Sequence, residues 1–224
     1  MESHAASPAV EPVQVLCLTL GPVQTNTYIV GDISSRTAVV IDPAWDGAHI
    51  HQQLDERGWS LASIWLTHAH FDHFGGVADL VRLSPGPPAV ALHPLDQALW
   101  RLNGGAGLFG IPAFDPGPEP GVDLSHGMQL QFGRRAFEVR HAPGHTPGHV
   151  MFYWAADRLL FSGDVIFAEG VGRTDLPGGN WEALLSSIQS QVLTLPDDVT
   201  IYSGHGPATT VGRERRSNPF LHLT

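Results

Sequence analysis

The segment 67–73 carries side chains that can bind metal ions. It reads Thr-His-Ala-His-Phe-Asp-His, so it places the imidazoles of His68, His70 and His73 and the carboxylate of Asp72 within six residues. A lone histidine is usually a packed or surface residue, but this density of imidazole and carboxylate donors is typical of a site for zinc, iron, manganese or nickel. No cysteine lies nearby, which excludes a thiolate site. The segment therefore predicts a metal site.

The sequence on either side of this segment indicates how its donors are held. The apolar run 63–66 predicts a buried strand, and the run 77–81 predicts the start of a helix. In an extended segment, alternate residues share a face and lie roughly 6–7 Å apart at the backbone, so the side chains of His68 and His70 can point the same way and bind one ion. The last two donors lie where the chain turns into the helix, and they can face a second position.

Three further segments place a histidine or aspartate beside glycine at the end of a predicted strand. They are Ala-Pro-Gly-His-Thr-Pro-Gly-His at 142–149, Ser-Gly-Asp at 162–164 and Ser-Gly-His-Gly at 203–206. Each is weak evidence alone. Together with the first cluster they predict donors that converge on one edge of a sheet.

With these motifs in this order, the chain resembles the metallo-β-lactamase superfamily and, within it, the short, stand-alone bacterial glyoxalase II-like (hydroxyacylglutathione hydrolase-like) hydrolases. The resemblance implies an α/β fold, a four-layer αββα sandwich with the metal site at one edge of the two sheets. It also implies that Asp164 bridges two metal ions. The implied ligands of one ion are His68, His70 and His145, and those of the other are Asp72, His73 and His205. The Gly-Arg-Thr-Asp loop at 172–175 and the terminal stretch 214–220 resemble the same bacterial group.

Other polar residues carry weaker assignments. Asp42 resembles the family aspartate that supports the ligands, although Ala44 stands where the family has glycine, and a plain turn at the end of a strand is the alternative. Arg173 is a candidate substrate contact that can instead pair with Asp175. His93, His126 and His141 are expected to be structural. His149 can either support the ligands or be structural, and the structural role is favoured.

The resemblance implies a dinuclear metal-dependent thioester hydrolase whose substrate is S-lactoylglutathione or a related small-molecule thioester. Two divalent cations are expected, with zinc favoured over iron or manganese. A metal-bound hydroxide is expected to attack the thioester carbonyl, and Asp72 to orient this nucleophile as well as bind metal.

Related chemistries stay open as alternatives. Persulfide dioxygenases carry a similar loop and use one iron held by two histidines and one aspartate. A β-lactamase usually has cysteine where Asp164 stands, which argues against that activity. The negative net charge argues against a nuclease. A lactonase and a non-catalytic metal-binding domain are the other rivals.

Composition limits the partners. The net charge of −10 argues against nucleic acid and anionic membranes. No apolar run is long enough to cross a membrane and no signal pattern begins the chain, so a cytoplasmic location is expected. All twelve basic residues are arginine, and the basic helical domain with which full-length glyoxalase II clamps glutathione is not expected. Arg173 and the cluster 213–216 are the candidates for binding glutathione carboxylates.

The periodicity predicts strands at 13–20, 27–30, 38–41, 63–66, 89–92, 128–132, 136–141, 150–154, 159–162 and 199–202. It predicts helices at 49–57, 94–102 and 181–193. Residues 1–12 are expected to be a loose tail, and 13–224 one domain. The Gly- and Pro-rich stretch 103–127 predicts a loop, either a flap over the site or a surface insertion. Cys17 is expected to be a packed thiol within the first strand.

Overall fold

The predicted αββα sandwich is confirmed by the computed structural model, which describes residues 13–221. The predicted tail at 1–12 lies outside the described residues, and the assignment of 13–224 as one domain stays a prediction. No helix within residues 13–221 is long and apolar enough to cross a membrane.

Two six-stranded sheets form the middle of the sandwich. The first has the order β1 (Val13–Leu20), β2 (Thr25–Asp32), β3 (Thr37–Ile41), β4 (Ser60–Trp65), β5 (Ala89–Leu92) and β6 (Val122–Asp123). The second comprises β7 (Gln129–Phe132), β8 (Arg135–His141), β9 (Val150–Trp154), β10 (Leu159–Gly163), β13 (Thr200–Ser203) and β14 (Thr209–Thr210), and its order runs from β14 through β13, β10, β9 and β8 to β7. A small hairpin joins β11 (Ile166–Phe167) to β12 (Gly170–Val171).

Both sheets contain parallel strand pairs, whose strands are joined by crossover connections. In the first sheet, β3, β4, β5 and β6 are parallel, whereas β1, β2 and β3 are antiparallel. In the second sheet, only β10 and β13 pair in parallel among the described strands. Parallel strands end at the same edge, so the loops that follow β3, β4, β10 and β13 can contribute side chains to a shared site.

Helices cover the outer faces of both sheets. They are α1 (Gly47–Asp55), α2 (Val77–Leu83), α3 (Gln97–Arg101), α4 (Trp181–Ser187) and α5 (Val211–Ser217). Short polar side chains begin several of them: the side-chain oxygens of Asp46, Asn180 and Thr210 accept backbone N–H bonds of α1, α4 and α5.

Three apolar clusters correspond to the three interfaces of the sandwich. The cluster between the sheets includes Trp65, Phe137 and Phe152. A second cluster packs the first sheet against its helices, and a third packs the second sheet against α4 and α5. Burial of apolar side chains at about 25 cal/mol per Å² is the main term that stabilises this arrangement.

Several details differ from the predicted elements. The predicted helix at 94–102 divides into a 3₁₀ turn (Pro94–Asp96) and α3, and the one at 181–193 into α4 and a π turn (Ile188–Val192). The predicted loop at 103–127 contains a 3₁₀ segment (Asn103–Phe109) and β6. The sequence analysis missed α5, β11, β12 and β14, which are short.

The prediction that Cys17 is packed is wrong, because its side chain is exposed. Cys17 continues the inner face of β1 after Val13 and Val15, which pack between the sheets. β1 is the outermost strand of its sheet, and at Cys17 and Thr19 this face is exposed.

Candidate metal centre

The turn after β4 presents the first four donors of the centre. The chain leaves β4 at Trp65 and bends at Thr67. After His70, whose backbone is extended, it forms a 3₁₀ turn over Phe71–His73, which the bond from His73 N–H to the His70 carbonyl closes at 2.9 Å. His68, His70, Asp72 and His73 are all buried. The predicted placement of this segment on a strand-to-turn junction is therefore confirmed.

The structure brings all seven predicted ligand side chains together at one edge of the two sheets. Two groups of possible metal ligands, whose donor atoms lie within 4.8 Å of one another, account for six of them. The imidazole group consists of His68, His70 and His145, and the carboxylate group consists of Asp72, His73 and His205.

The imidazole group has its ring nitrogens turned toward one point. His70 Nδ1 lies 3.1 Å from His68 Nε2 and 2.8 Å from His145 Nε2. Histidines from β4's turn and from the loop after β8 thus meet although 75 residues separate His70 from His145.

Asp164, which follows β10, lies between the two groups. Its Oδ2 atom is 3.6 Å from His145 Nε2 and 3.4 Å from His205 Nε2, and its Oδ1 atom is 3.5 Å from His73 Nε2. His73 Nε2 and Asp164 Oδ1 are buried without a hydrogen-bond partner. One carboxylate thus faces both groups, as a bridging ligand would.

Asp42 orients two of the histidines. It accepts a bond from His73 Nδ1 at 3.0 Å, so His73 Nε2 faces the centre. It also accepts bonds from the Thr67 backbone N–H at 2.7 Å and the Thr67 hydroxyl at 2.6 Å. Because that hydroxyl proton points at Asp42, the Thr67 oxygen accepts from His68 Nδ1 at 3.1 Å, which leaves His68 Nε2 free to bind a cation.

Backbone and hydroxyl groups orient the other donors. His145 Nδ1 donates to the Arg173 carbonyl at 2.7 Å, and the Thr25 hydroxyl donates to Asp72 Oδ2 at 2.8 Å. The Arg173 side chain binds Asp175 through two bonds of 2.7 Å. Arg173 therefore supports the centre through its carbonyl, a contact that its side-chain type could not reveal.

Asp96 is a buried residue of the site that the sequence analysis missed. Its Oδ2 atom accepts bonds from Ala69 N–H at 3.1 Å and Thr146 Oγ1 at 2.7 Å, and its Oδ1 atom accepts from Gly148 N–H at 2.6 Å. Burial raises the pKa of the Asp96 carboxyl. Asp96 joins the turn that carries His68 and His70 to the loop that carries His145, and no glycine or histidine motif marks it in the sequence.

The segment that carries His205 is held by residues near the start of β2. Asn26 N–H donates to the Gly204 carbonyl at 2.7 Å, and Asn26 Nδ2 donates to the carbonyls of Ser203 at 3.0 Å and Gly206 at 2.8 Å. Gly204 must lack a side chain, because a Cβ atom there would lie 2.1 Å from Asp164 Oδ1. These contacts join parts of the chain that are up to 180 residues apart.

The two groups have opposite electrostatic character. Burial, followed by the neighbouring imidazoles, lowers the pKa of His68 well below its ordinary value, and burial followed by His145 lowers the pKa of His70 to about 3. Burial acts in the same direction on His73 and His205, but the surrounding carboxylates outweigh it. They raise the pKa of His73 well above its ordinary value and the pKa of His205 to about 10.

The carboxylates themselves stay ionised. Burial alone would raise the pKa of Asp72 and Asp164, but the charge of His73 and the bond from His205 outweigh it. The pKa of Asp72 is lowered to about 2, and that of Asp164 is lowered well below the ordinary value. This region therefore favours positive charge, which a proton or a metal ion can supply.

A metal-centre cavity of about 150 Å³ opens onto these donors. Its walls include His70, Asp72, His145, Asp164 and His205, together with Val23, Phe71, Phe109, Arg173 and Leu176. Phe109 belongs to the 103–127 stretch, and its ring lies 5.2 Å from that of Phe71. Phe114 instead packs away from the cavity against Trp45 and Phe74. The stretch thus combines both alternatives, a cover at its start and a packed surface segment further on.

The other four histidines named in the sequence analysis, all of them among the described residues, lie outside both groups. His149 is buried, stacks on His68 with ring centroids 4.7 Å apart, and accepts a bond from Asp164 N–H at 3.0 Å. His93 and His141 stack on each other at 4.3 Å, and His126 accepts from the His141 N–H. The contacts of His93, His126 and His141 fit the structural roles expected for them, whereas His149 contacts two of the predicted ligands and so fits the alternative role of supporting them.

The terminal stretch that resembled the bacterial group supports the loop after Asp164. Glu214 is buried and accepts bonds from Glu169 N–H at 2.9 Å and from Asn218 Nδ2 at 2.8 Å, and Asn218 also donates to the Gly170 carbonyl. Arg213 pairs with Glu169, and Arg216 pairs with Asp197. The arginines of the 213–216 cluster thus include side chains already engaged within the protein.

Comparison with known proteins identifies similar chains. The family model for the metallo-beta-lactamase superfamily matches residues 20–205. The probable metallo-hydrolase YqgX of Bacillus subtilis is 41% identical over 210 residues, covering 92% of this chain and 96% of that protein. Hydroxyacylglutathione hydrolase GloC of Haemophilus influenzae is 38% identical over 200 residues, covering 89% and 93%.

Other similar proteins point to other chemistries. The mitochondrial persulfide dioxygenase ETHE1 of Mus musculus is 36% identical over 205 residues, covering 89% of this chain and 72% of that protein. Among solved structures, the BLEG-1 B3 metallo-beta-lactamase has a TM-score of 0.87 at 38% identity, covering 93% of this chain and all of that one. TTHA1623 in a di-iron-bound form has a TM-score of 0.83 at 43% identity, covering 92% and 100%.

Proposed function

This chain belongs to the metallo-beta-lactamase superfamily, and we propose that it is a dinuclear metal-dependent hydrolase that cleaves thioesters. The observation that carries the proposal is the position of Asp164, whose carboxylate lies within 3.6 Å of histidine nitrogens from both the imidazole group and the carboxylate group. A bridging carboxylate offsets the repulsion between two cations held close together.

The donor set fits two divalent cations. The Nδ1 protons of His68, His73 and His145 are directed to Thr67, Asp42 and the Arg173 carbonyl, so their Nε2 atoms face the centre and can bind a cation, which at His73 displaces a proton. We propose that His68, His70 and His145 hold one ion, that Asp72, His73 and His205 hold the other, and that Asp164 bridges them. Imidazole and carboxylate donors suit zinc, iron and manganese alike, and we favour zinc.

Bound at these positions, divalent cations would lower the pKa of water toward about 7 and polarise a carbonyl oxygen. The chain supplies the rest of the site. Asp72 is ionised, is held by the Thr25 hydroxyl, and lines the metal-centre cavity, so it can accept a hydrogen bond from the attacking water and orient it. Phe109 and Leu176 form apolar parts of the wall beside the donors.

The proposed reaction joins a water oxygen to the thioester carbonyl carbon and breaks the carbon–sulfur bond. The sulfur leaves with the bonding electron pair as a thiolate, and the water proton is released to solvent or to that thiolate. A thiol whose pKa is about 8.5 leaves readily as the thiolate, without a dedicated general acid. No redox partner is needed, and the products are a carboxylic acid and a thiol.

Glutathione selectivity is expected to be low. Among the cavity-lining side chains of the described residues, Arg173 is the one that always carries positive charge, and it is paired with Asp175. An exposed ion pair of this kind contributes only about 0–1 kcal/mol, so Arg173 is a weak clamp for a glutathione carboxylate. We therefore expect a high KM for S-lactoylglutathione and tolerance of other thioesters.

Persulfide dioxygenation is the second candidate. The similarity to ETHE1 supports it, and so does a third group of donors within 4.8 Å of one another, His68, His73 and Asp164. Two imidazoles and one carboxylate are the donor set of mononuclear iron oxygenases.

Metal analysis of the natively purified protein beside three assays separates these functions. We expect two divalent ions per chain, chelator-sensitive release of thiol from thioesters, little oxygen uptake with glutathione persulfide, and no comparable turnover of a β-lactam. One iron per chain with stoichiometric oxygen uptake would establish the dioxygenase instead. A preference of about 100-fold or more for glutathione thioesters over those of a small neutral thiol, worth about 2.7 kcal/mol, would contradict the weak clamp.

A further inference from the structure

A second and larger cavity lies directly beside the metal-centre cavity. It has a volume of about 380 Å³, against about 150 Å³ for its neighbour, and the two share His70, Phe109 and Leu176 as walls. This volume is typical of sites that bind small molecules, which measure about 300–1,000 Å³. We call it the apolar cavity.

The walls of the apolar cavity are almost wholly hydrocarbon. The side chains around it are Leu99, Leu102, Leu108, Phe109, Leu176 and Pro177, together with glycine backbone and the ring of His70. Apart from His70, whose Nδ1 atom faces His145, no lining residue carries an ionisable side chain. A charged ligand group buried here would lose its hydration without gaining a partner, which costs several kcal/mol in apolar surroundings and is avoided by uncharged groups.

The segment that forms this cavity rests on the ligand-bearing turn. Gly104 is buried with φ +60°, and a Cβ atom there would lie 2.1 Å from the Phe71 backbone nitrogen. Trp100 of α3 stacks on Phe74 with ring centroids 4.3 Å apart, which anchors the other end of the segment. The wall is therefore fixed relative to His70 and Asp72, and a group bound in it would have a defined position next to the reacting carbonyl.

The rim of the cavity exposes large apolar side chains. Leu102 is 72% exposed and Leu108 is 67% exposed, although both line the cavity. Contact with hydrocarbon on a ligand would remove this surface from water, at about 25 cal/mol per Å².

Resting on the proposed thioesterase function, we propose that the apolar cavity binds an uncharged hydrocarbon substituent of the thioester. The physiological substrates would accordingly be thioesters with an aliphatic or aromatic group of several carbons. S-Lactoylglutathione, which has a small hydroxylated acyl group and a charged thiol, would use only the smaller cavity.

The test is a kinetic series on the metal-loaded protein in two arms. One arm lengthens the acyl group from acetyl to hexanoyl on N-acetylcysteamine, and the other lengthens an alkyl thiol while the acyl group stays acetyl. In one arm, kcat/KM should rise about fourfold for each methylene that enters the cavity, or about two orders of magnitude across the series. The arm that shows the rise identifies which side of the thioester is bound. Adipoyl-N-acetylcysteamine, which ends in a carboxylate, should lose most of the gain shown by the hexanoyl compound.

Two variants locate the effect. Leu102→Asp introduces a charge into the wall, and Gly107→Leu adds a side chain where the backbone has open space and no positive φ. Each should lower the hexanoyl-to-acetyl ratio, or the matching ratio in the thiol arm, by about tenfold or more. Leu95→Asp and Gly121→Leu are matched controls outside the cavity, since Leu95 is 58% exposed and Gly121 also has open space around it. The controls should keep the ratio.

Binding supplies a readout that does not depend on turnover. Calorimetric titration with S-hexyl-N-acetylcysteamine, a thioether that cannot be hydrolysed, should show tighter binding than its S-ethyl counterpart, and Leu102→Asp should remove the difference. A flat series in both arms, or an unchanged ratio in both wall variants, would overturn the apolar-cavity assignment while leaving thioester hydrolysis intact. If no thioester is hydrolysed in either arm, the proposed function itself fails and this inference falls with it.

Discussion

The imidazole group and the carboxylate group lie side by side but hold protons very differently. Burial and neighbouring imidazoles keep His68 and His70 neutral, with the pKa of His70 at about 3. Carboxylates around His73 and His205 raise their pKa values, that of His205 to about 10. A cation entering the first group meets neutral lone pairs, whereas a cation entering the second must displace protons.

This difference shows that a centre with similar donors can contain two unequal positions. In the imidazole group, desolvation is the main cause of the lowered pKa values of His68 and His70. In the carboxylate group, the raised pKa of His73 is due to Asp42, Asp72 and Asp164, all of which are buried. Asp164 touches both groups, so changes there should affect the whole centre, and changes elsewhere should affect one group more than the other.

Asp164→Ala tests the link between the groups and should have the largest effect. Loss of the shared carboxylate should lower both metal content and thioesterase turnover, the latter by about a thousandfold or more, which corresponds to about 4 kcal/mol of transition-state stabilisation. Mass spectrometry of metal content and kcat/KM measure the two effects. Asp157→Ala removes an exposed carboxylate and serves as the control. Wild-type stoichiometry and rate in Asp164→Ala would show that the two groups are not bridged.

The pH dependence of metal binding to the chelator-treated protein tests the difference between the groups. The raised pKa values mean that His73 and His205 hold protons at pH 7, so binding at the carboxylate group releases them and affinity should increase by about tenfold per pH unit for each proton displaced. Affinity at the imidazole group should depend less steeply on pH, because burial and the neighbouring imidazoles keep His68 and His70 neutral, with the pKa of His70 at about 3. Competition titrations at several pH values should resolve two classes of site, a steep class whose affinity rises strongly with pH and a comparatively flat class. Two equally steep classes would contradict the comparison.

Asp96→Asn perturbs the imidazole group selectively. The Asp96 carboxylate accepts three hydrogen bonds, and the NH₂ group of an asparagine would face at least one of these donors and leave it without an acceptor. The free energy of unfolding should therefore fall by about 1–3 kcal/mol. Because Asp96 joins the loops of His68 and His145, metal affinity at the flat class of site should fall by about 10- to 100-fold. Asp157→Asn is the matched control. An equal loss at the steep class of site would mean that Asp96 supports the fold in general rather than this group.

Cys17→Ser should have the smallest effect, and it tests whether a residue outside both donor groups takes part in activity. Cys17 is exposed on an edge strand, so the substitution should change the free energy of unfolding by no more than about 0.5 kcal/mol and leave kcat/KM within a few-fold. Loss of activity in a folded variant would reveal a participant outside both groups.

The strand pattern and the first four donors follow from the sequence because they depend on local spacing. His68, His70, Asp72 and His73 are close in the chain, and the apolar run before them predicts β4. His145, Asp164 and His205 are dispersed, and motif resemblance, rather than periodicity, grouped them with the first four. The structure places all seven together, but their action as ligands remains a proposal.

The supporting contacts could not be predicted in the same way. Asp96 looks like an ordinary helix-start residue, and the contribution of Arg173 comes from its carbonyl, which every residue type possesses. The exposure of Cys17 depends on how far the second sheet extends over β1. Such features depend on tertiary packing that no local pattern records.

The contacts of Asn26 with the segment 203–206 have a consequence for the order in which the molecule assembles. A nascent chain emerges from its N-terminal end, so the turn at 67–73 is synthesised long before His205. The contacts of Asn26 with 203–206 close a long loop, and the entropic cost of closing it falls late in folding. The three histidines of the imidazole group lie within the first 145 residues, although the Arg173 carbonyl orients the last of them, whereas the carboxylate group needs the two ends of the sandwich to meet. Under the proposed ligand assignment, a metal ion can therefore be held at that second position only after the chain has folded as far as His205.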